Sequence, residues 1–506
     1  MALPRILVTG ASGFIGRHLL EALKEDFQVI GLARRSQIRC GAPIHDNISW
    51  HQVDIGDPAT LETVFKEIQA QGPVDIVIHL AAHYDFTGDE HPEYYRTNVE
   101  GLRSILEHCR ALRPRLFLFS SSVAACAFPP EGKALTETSP PDGDHIYAKT
   151  KAIGERMLGE YSDAFPSVIV RFAALFSDWC EYPPLYMFLR TWLSRAWNAR
   201  ILGGRGESAI PYLHVNDAIS FLMRVLRKHA ELDSGEILIA SPDGAVSHEQ
   251  LYVEATQYHF ENAKSPFHTP KILIKPGIYG RCFFGRLSSE KPFERPWMAN
   301  YVDLELTVDA SRTRQRLDWA PKRRLEILYR LPFLIENRKY DRIEWTRRNR
   351  DAMKMVRVRP NLKIHSLLQK HKQEIIVECT KALRAQYPHY QELDEREHHW
   401  NHRLILRNLF NAIRSRMKID FMSYCRDLAE RRLDQGFTAE ELVGALETVD
   451  RICIQTLMRD KEAEDMQAYM YQCITMTIRF GIDQVLETCD RIHERKGGQG
   501  RSPCDT

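Results

Sequence analysis

Three features that define other classes of protein are missing from this chain of 506 residues. It contains no run of about 18 consecutive apolar residues, which a membrane-spanning helix would need. None of its 11 cysteines forms a C-x-x-C pair, a pattern that favours reduced thiols in a cytoplasmic protein. Its 69 basic and 67 acidic residues leave a net charge of +2, which predicts no general affinity for nucleic acid or anionic membranes, although a balanced total can hide a local patch.

Length and composition favour a folded protein of several domains. With 44% hydrophobic and 27% charged residues, the composition is close to the globular average, which excludes a disordered or collagen-like chain as a whole. At about 150 residues per domain, the length predicts two to four domains. The first apolar run, residues 6–8, ends at a glycine-rich turn and is too short for a secretion signal.

The first third of the chain alternates short β-branched runs with stretches of helical periodicity. Such alternation is typical of a parallel sheet covered by helices on both faces, so residues 1–172 are predicted to form a doubly wound sheet of the Rossmann type. The predicted strands are residues 5–9, 28–33, 49–54, 76–80, 115–120 and 167–171. Residues 173–337 are irregular and rich in Pro, Gly and aromatics, which favours a smaller subdomain that covers a substrate.

The remainder of the chain has a different composition. Basic residues cluster over residues 338–361, which we interpret as a linker. Helical periodicity then dominates residues 362–494 and predicts an all-α bundle, while the tail, residues 495–506, is predicted to be disordered. Within the bundle, Thr438 and Glu441 form a capping-box pattern that predicts the start of a helix.

The strongest local motif is TGASGFIG, residues 9–16, directly after the first predicted strand and before a helix. Gly10 permits the tight turn, Gly13 allows the backbone to approach a pyrophosphate, and Gly16 allows the helix to pack closely. The helix N-terminus offers unpaired N–H groups to the anion. In this setting the motif predicts a dinucleotide site.

The end of the second strand bears on which dinucleotide binds. A carboxylate there selects NAD through the ribose hydroxyls, whereas this sequence has Arg34 and Arg35. Guanidinium groups favour a 2′-phosphate, so NADP is the preferred prediction and NAD the alternative. Asp54, at the end of the third predicted strand, is placed to accept a hydrogen bond from the adenine amino group.

Tyr147 and Lys151 form a candidate catalytic pair, because residues four apart project from the same face of a helix. A tyrosine has a pKa of about 10, and a nearby ammonium group favours the phenolate. A hydroxyl that holds the substrate oxygen would complete the set. Ser120, Ser121 and Ser122 lie at the carboxyl end of the fifth strand, where such a group belongs.

These residues give the chain its resemblance to the extended short-chain dehydrogenases/reductases, in the NAD-dependent epimerase/dehydratase group. The resemblance covers about residues 4–325 and includes HLAA (79–82), TNVEG (97–101), FSSS (119–122), YAKTK (147–151) and YLHVNDA (212–218). It implies Ser122 as the catalytic serine with Ser121 as the alternative, Tyr147 as the acid/base, Lys151 as its activator and a ribose ligand, and Asn98 as the support of a proton-relay water. The implied cofactor-binding residues are Gly10, Ser12, Gly13, Phe14, Ile15, Gly16, Arg34, Asp54, Ile55, Leu80, Ala81, Ala82, Tyr147 and Lys151.

Departures from the family pattern bear on the substrate. Val123 and Ala124 stand where sugar-nucleotide 4,6-dehydratases carry an Asp-Glu pair, so that elimination route lacks its acid and base. Ala174 and Ile210 replace polar residues typical of nucleotide-sugar epimerases, which favours a less polar alcohol or ketone. Aromatic residues of the covering region point the same way: Trp179, Tyr182, Tyr186, Phe188, Trp192, Trp197, Phe283, Phe284 and Trp297. Because Arg281 and Arg295 are positively charged, a substrate with an anionic group stays an open alternative.

The helical region weakly resembles the sensor domain at the N-terminus of stress-response co-antagonist proteins, through RRLDQGFTAEELVGAL (431–446). That resemblance implies a globin-like bundle for signalling or dimerisation. His398, His399 and His402 stand beside charged residues, which favours a solvated helix face over a metal or haem site, and no metal site is predicted.

Three functional hypotheses remain open from the sequence. The first is an NAD(P)-dependent oxidoreductase, the second a nucleotide-sugar epimerase, and the third an NADP(H)-sensing regulator without turnover. The expected partners are a small-molecule substrate and, through the helical region, a second copy or a signalling protein.

Overall fold

The computed structural model describes residues 3–262, 264–287, 293–353, 359–393 and 395–495. The chain divides into two compact units between residues 357 and 358. The strands of the first unit are β1 (Arg5–Thr9), β2 (Gln28–Ala33), β3 (Ile48–Gln52), β4 (Ile76–His79), β5 (Leu116–Ser122), β6 (Ser167–Phe172), β7 (Ala174–Phe176), β8 (Ile201–Gly203), β9 (Ala209–Ile210), β10 (Tyr212–His214), β11 (Glu236–Ala240), β12 (Val246–Ser247) and β13 (Phe267–Thr269).

The helices of the first unit alternate with these strands. They are α1 (Phe14–Leu23), α2 (Gln37–Cys40), α3 (Pro58–Ala70), α4 (Pro92–Tyr95), α5 (Gly101–Leu112), α6 (Ile146–Gly159), α7 (Pro183–Trp192), α8 (Val215–Lys228), α9 (His248–Phe260), α10 (Lys271–Leu287), α11 (Ser311–Leu317), α12 (Ile327–Tyr340) and α13 (Arg342–Met353). Among the described residues, no helix is both long enough and apolar enough to cross a membrane.

The centre of the first unit is a seven-stranded parallel sheet in the order β11-β6-β5-β4-β1-β2-β3. This arrangement confirms the predicted doubly wound fold. Ile6 and Val8 point into one core with α1 and α8, whereas Leu7 points into the other with α3 and α5. Because side chains alternate along a strand, a fully apolar strand needs cover on both faces.

Strand positions agree with the sequence where a β-branched run is long. β1 and β2 lie at the predicted residues, and β5 extends two residues further, to Ser122. The seventh strand, β11, comes from the region predicted to be irregular. It is an edge strand of five residues that pairs with β6, so its existence depends on a partner distant in sequence.

The described part of the predicted linker is largely helical, and its residues up to 353 belong to the first unit. Residues 338–340 end α12, and α13 packs Trp345 into the same core as α7 and α9. Asn349 is fully buried; its amide donates to the Trp179 carbonyl at 2.8 Å and accepts from the Glu181 N–H at 2.9 Å. Trp345 and Asn349 are four residues apart and share the inward face of a helix whose other positions are mostly charged.

The second unit is helical in its described residues, as the all-α prediction expects. Its helices are α14 (Pro360–Lys370), α15 (Lys372–Gln386), α16 (Pro388–Glu392), α17 (Glu395–Ser415), α18 (Lys418–Asp434), α19 (Ala439–Met458), α20 (Gln467–Met470) and α21 (Met476–Arg495). A stretch with continuous helical periodicity, residues 362–385, is divided at His371, whose ring bonds Asp460 and Glu374. The predicted disordered tail lies outside the described residues except for residue 495, the last of α21.

The capping box of α19 is formed as the sequence indicates. Thr438 Oγ1 accepts from the Glu441 N–H at 3.2 Å, and Glu441 Oε2 accepts from the Thr438 N–H at 2.9 Å. Replacing Thr438 with Ala is expected to lower the free energy of unfolding of the helical unit by about 1 kcal/mol, because an end N–H loses its acceptor. Urea unfolding followed by circular dichroism measures this loss.

A mid-helix threonine provides the control for that measurement. Thr380 Oγ1 bonds only the carbonyl of Ile376 within its own helix, at 2.8 Å, so Thr380→Ala should cause no comparable loss. An equal effect of the two substitutions would contradict the capping role of Thr438.

Candidate active site

The glycine-rich turn between β1 and α1 forms a cradle that only glycine fits. Gly10 has a φ of +70°, and a Cβ placed on it would lie 2.6 Å from the Ala81 nitrogen. A Cβ on Gly16 would lie 2.6 Å from the Ala11 carbonyl oxygen. Thr9 Oγ1 accepts from the Ala81 N–H at 3.3 Å and bonds His79 Nδ1 at 3.0 Å, which ties the turn to the end of β4. These contacts suit a pyrophosphate resting on backbone N–H groups at the start of α1.

The other predicted cofactor residues line the same carboxyl edge of the sheet. Gly13 precedes α1, Phe14 and Ile15 begin it, and Leu80 and Ala82 follow β4. Ile55 is buried, and Asp54 Oδ1 accepts from the Gly56 N–H at 3.0 Å.

The two arginines after β2 have different surroundings. Arg34 stands 3.9 Å from the buried carboxylate of Glu93. Burial acts to raise the pKa of Glu93, but Arg34 and the Thr97 hydroxyl together hold that pKa below its ordinary value. Arg35 contacts the Ser12 carbonyl and lies 3.4 Å from Ser12 Oγ, directly on the glycine-rich turn. The structure therefore brings Arg35, more than Arg34, to the phosphate cradle.

Lys151 is buried between α6 and the end of β5. Its ammonium donates to the Ser120 carbonyl at 2.6 Å and stands 5.7 Å from the centre of the Tyr147 ring. Burial lowers the pKa of Lys151 to about 8, although the nearby Glu155 acts in the opposite direction. Lys151 therefore lies beside Tyr147, as their spacing predicts, and is held by a backbone carbonyl.

The surroundings of Tyr147 are more apolar than the presence of Lys151 four residues away suggests. The ring of Tyr84 packs against it with centroids 4.4 Å apart. Burial raises the pKa of Tyr147 above its ordinary value, opposite to the direction expected from a neighbouring lysine. The reason is that burial removes the phenolate from water, which disfavours the charged form.

Strand alternation separates Ser121 from the other two serines at the end of β5. Ser121 points away from its neighbours and donates to Glu155 Oε1 at 2.5 Å. Ser122 Oγ accepts from the Ala124 N–H at 3.1 Å and has only a long contact, 3.4 Å, with the Phe172 carbonyl. Ser120 Oγ donates to the His79 carbonyl at 2.8 Å. Of the three hydroxyls, that of Ser122 has the weakest bond as a donor, which leaves it best able to turn to a ligand.

Asn98 joins the loop after β4 to the helix that carries Tyr147. It lies in a five-residue π-helical turn, Arg96–Glu100, and its amide bonds both the N–H and the carbonyl of His83, at 2.7 and 3.0 Å. The amide also donates to Thr150 Oγ1 at 3.0 Å, and Thr150 donates to the Tyr147 carbonyl at 2.9 Å. The side chain of Asn98 therefore positions the backbone on both sides of the site.

The loop after β4 contributes groups that the sequence did not single out. His83 Nε2 bonds the buried carboxylate of Asp85 at 3.1 Å, and the His83 ring meets Tyr94 edge to face. The Thr87 hydroxyl also donates to Asp85 at 2.6 Å. The only sequence signal for this cluster is its place directly after HLAA. Its effect is to fix the loop that holds Tyr84.

Apolar side chains cover the site above that loop. Phe86 and Phe293 form a small buried cluster with Tyr84 and Tyr182 packed against it. Trp297 Nε1 donates to the Thr87 carbonyl at 2.8 Å. Of the aromatic residues that the sequence assigned to the cover, Trp197 is instead exposed, and the side chains of Phe283 and Phe284 lie outside the described residues.

The structure gives contacts for three further residues that the sequence singled out. Ala174 and Ile210 pack at the edge of the core of the covering region, and Arg281 pairs with Glu294 at 2.7 Å. The side chains of His398, His399 and His402 lie outside the described residues. Among the residues described, no group of three or more potential metal ligands occurs.

Comparison with known proteins places both regions of the chain. A family model described as the NAD dependent epimerase/dehydratase family matches residues 6–240. Another, the RsbT co-antagonist protein rsbRD N-terminal domain, matches residues 373–495. These matches confirm both resemblances seen in the sequence.

Individual relatives share part of the first unit. A dTDP-D-glucose 4,6-dehydratase of Dictyostelium discoideum is 24% identical over 253 residues, 44% of this chain and 56% of that protein. UDP-glucose 4-epimerase 4 of Oryza sativa subsp. japonica is 33% identical over 180 residues, 33% of this chain and 47% of that protein. The chain thus spans about half the length of these curated relatives.

A solved structure shares the fold of the first unit. The UDP-glucose 4-epimerase of Thermotoga maritima, solved with UDP-glucose, superposes with a TM-score of 0.51 at 19% identity, covering 66% of this chain and 99% of that one. The chain therefore combines a Rossmann-type region that matches the NAD-dependent epimerase/dehydratase family with a helical region that matches the rsbRD N-terminal domain.

Proposed function

We propose that the first unit is an NAD(P)-dependent enzyme of the extended short-chain dehydrogenase/reductase type. Its reaction interconverts a hydroxyl and a carbonyl group on a relatively apolar alcohol or ketone, with Tyr147 as the acid/base. The observation that carries this proposal is the placement of Tyr147 between Lys151 and an aromatic cover, at the carboxyl edge of a sheet with a glycine-rich cradle. In sheets of this type, that edge is where ligands bind.

The chain's own residues divide the chemistry among them. Ser122 holds the substrate oxygen, and Tyr147 gives a proton to that oxygen or takes one from it. Lys151 lowers the cost of the phenolate. The Ser120 carbonyl holds the Lys151 ammonium, and Asn98 bonds Thr150 on the helix that carries both Tyr147 and Lys151. The covering aromatics exclude water, which strengthens the interaction between the ammonium and the phenolate.

The residues of the cradle fit a nicotinamide dinucleotide. Gly10, Gly13 and Gly16 would lie against its pyrophosphate, Asp54 near the adenine, and Lys151 at a ribose. When bound, this cofactor supplies hydride transfer. In its oxidised form, it also supplies a positive charge that favours the phenolate of Tyr147. That charge would oppose the effect of burial on the pKa of Tyr147.

The proposed substrate class follows from the cover. Phe86 and Phe293 are apolar and buried, and the half-buried Tyr182 packs against them, where a sugar would need hydrogen-bond partners. A nucleotide-sugar epimerase is the second candidate, because the relatives include enzymes with that name. Melting temperatures distinguish the two. Millimolar UDP-sugars raise the melting temperature of an epimerase, whereas apolar ketones do so under our proposal.

The same measurement tests the preference for NADP. At 100 times its Kd, NADP stabilises the folded chain by about 2.7 kcal/mol, which corresponds to a rise of several degrees. We expect NADP to give a larger rise than NAD, and Arg35→Gln to reduce the rise with NADP more than that with NAD. Arg35 follows β2, the strand whose end adjoins the adenosine ribose in this fold, and it contacts the glycine-rich turn, so its charge would be within reach of a 2′-phosphate.

Arg39→Gln is the matched control, because Arg39 is exposed on α2, outside the cradle. Equal rises with NAD and NADP in the unchanged protein would contradict the NADP preference. Turnover that is absent with every substrate, combined with tight NADP binding, would support the sensor hypothesis instead.

A further inference from the structure

One face of the first unit exposes several large apolar side chains together. Helix α10 presents Ile272, Leu273 and Tyr279 to solvent, and the strand pair β8–β13 places exposed Ile201 opposite exposed Phe267. We call these five residues the α10 surface. Single exposed apolar residues are ordinary, but a group of them marks an interaction site.

Packing joins the helix and the strand pair into one surface. A Cβ built on Gly203, at the end of β8, would lie 3.3 Å from Ile274 Cδ1 of α10, so the helix rests on that strand. Ile272 and Tyr279 are seven residues apart and lie on the same face of α10, while Ile278, about 100° round the helix from Tyr279, is buried. The exposed stripe is therefore the face of the helix that this unit leaves uncovered.

The charge of this segment has one sign. Residues 264–289 include five basic residues and no acidic one: Lys264, Lys271, Lys275, Arg281 and Arg286. Lys271 donates to the Val302 carbonyl at 2.8 Å, which holds it at the start of the helix. Among the described residues, Glu294 pairs with Arg281 at 2.7 Å, and Glu249 lies 3.8 Å from His268. In the sequence, Glu261 precedes the segment and Glu290 follows it.

We propose that the α10 surface docks the first unit on the interface of a bilayer that contains anionic lipids. Ile272, Leu273 and Tyr279 enter the boundary between headgroups and acyl chains, while Lys271 and Lys275 lie at the level of the lipid phosphates. Apolar residues beside basic ones are the composition of a helix that lies in a membrane interface. A second copy of the chain is a poorer occupant, because a symmetric contact would bring the same positive charges together.

The segment that follows α10 leads to the proposed active site. It provides Phe293, which packs on Phe86, and Trp297, which bonds the loop that carries Tyr84. A docked α10 would thus hold the aromatic cover next to the source of an apolar substrate. This last step rests on the proposed function, whereas docking itself depends only on the surface.

Co-sedimentation of the full chain with vesicles tests the proposal. The probes are vesicles of phosphatidylcholine alone and vesicles with about 30% phosphatidylglycerol. We expect binding to the anionic vesicles that weakens with added salt, and at least about a tenfold lower partition coefficient for the double variant Ile272→Ser/Leu273→Ser. Lys271→Gln/Lys275→Gln should lower binding and reduce its salt dependence.

Ile38→Ser is the matched control, since Ile38 and Ile272 are each 82% exposed and Ile38 lies on α2. It should bind vesicles as the unchanged chain does, and all variants should keep their melting temperature because the replaced side chains are exposed. Absence of binding to anionic vesicles would overturn the proposal, as would equal binding by the Ile272/Leu273 variant. Self-association that this variant abolishes, without vesicle binding, would assign the surface to a second copy. No cofactor or substrate is needed, so neither outcome depends on the proposed reaction.

Discussion

Replacing Tyr147 with Phe is expected to reduce kcat/KM by about 10²–10⁴-fold while leaving dinucleotide binding nearly unchanged. The substitution removes the proton that the proposed reaction moves, but it keeps the ring that packs against Tyr84. Steady-state kinetics on the best substrate of the thermal-shift panel gives the loss. The rise in melting temperature with NADP reports whether the cradle is intact.

Tyr84→Phe is the matched control for this experiment. Tyr84 is a neighbouring tyrosine whose own pKa burial raises well above the ordinary value, and the variant retains its ring. It should keep most of the activity, because the proposed mechanism uses only one phenol. Similar losses in the two variants, or a fully active Tyr147→Phe protein, would contradict the assignment of Tyr147 as the acid/base.

Replacing Glu155 with Leu is expected to lower the free energy of unfolding of the first unit by about 3–5 kcal/mol. Glu155 forms a bidentate pair with Arg171, at 3.0 and 2.7 Å, and both side chains are buried. Removing the carboxylate leaves a buried guanidinium without its counter-charge and deprives Ser121 of its acceptor. Such a loss is large compared with the total stability of a typical domain. Urea unfolding of the full chain, followed by tryptophan fluorescence, measures it.

Two further variants separate charge from packing. Glu160, at the end of the helix that carries Glu155, pairs with Arg103 of α5, and both side chains are exposed. Glu160→Leu removes this exposed pair, and its effect should stay below about 1 kcal/mol. The double variant Glu155→Leu/Arg171→Met should be more stable than Glu155→Leu alone, since it leaves no unpaired buried charge. A double variant as unstable as the single one would show that packing, and not charge, accounts for the loss.

Local patterns in the sequence predicted much of the fold. The first two strands, the glycine-rich turn and the start of α19 depend on residues close together in the chain. A β-branched run, a glycine that must adopt positive φ, and a capping box each act within a few residues. The boundary of the first unit was harder to place, because the basic surface of α13 hides its inward-facing Trp345.

In the candidate site, too, some features follow from residues close together in the sequence and others from contacts between distant segments. The spacing of Tyr147 and Lys151 and the position of the glycines could be recognised from sequence alone, since one turn of helix and one tight turn determine them. The contact partners of these side chains could not be recognised from the sequence. Ser121 meets Glu155, Arg34 meets Glu93, and Tyr147 meets Tyr84 only when distant segments pack together.

The direction in which a pKa is shifted depends on those distant contacts as well. A neighbouring lysine alone would lower the pKa of Tyr147, but burial raises it, because the phenolate loses its contact with water. The sequence by itself determined the class of fold, the cradle and the identity of the candidate acid/base. Only the tertiary structure decided which hydroxyl can turn to a substrate, which arginine reaches the phosphate cradle and which apolar face stays uncovered. These properties depend on burial and on contacts between segments far apart in the chain.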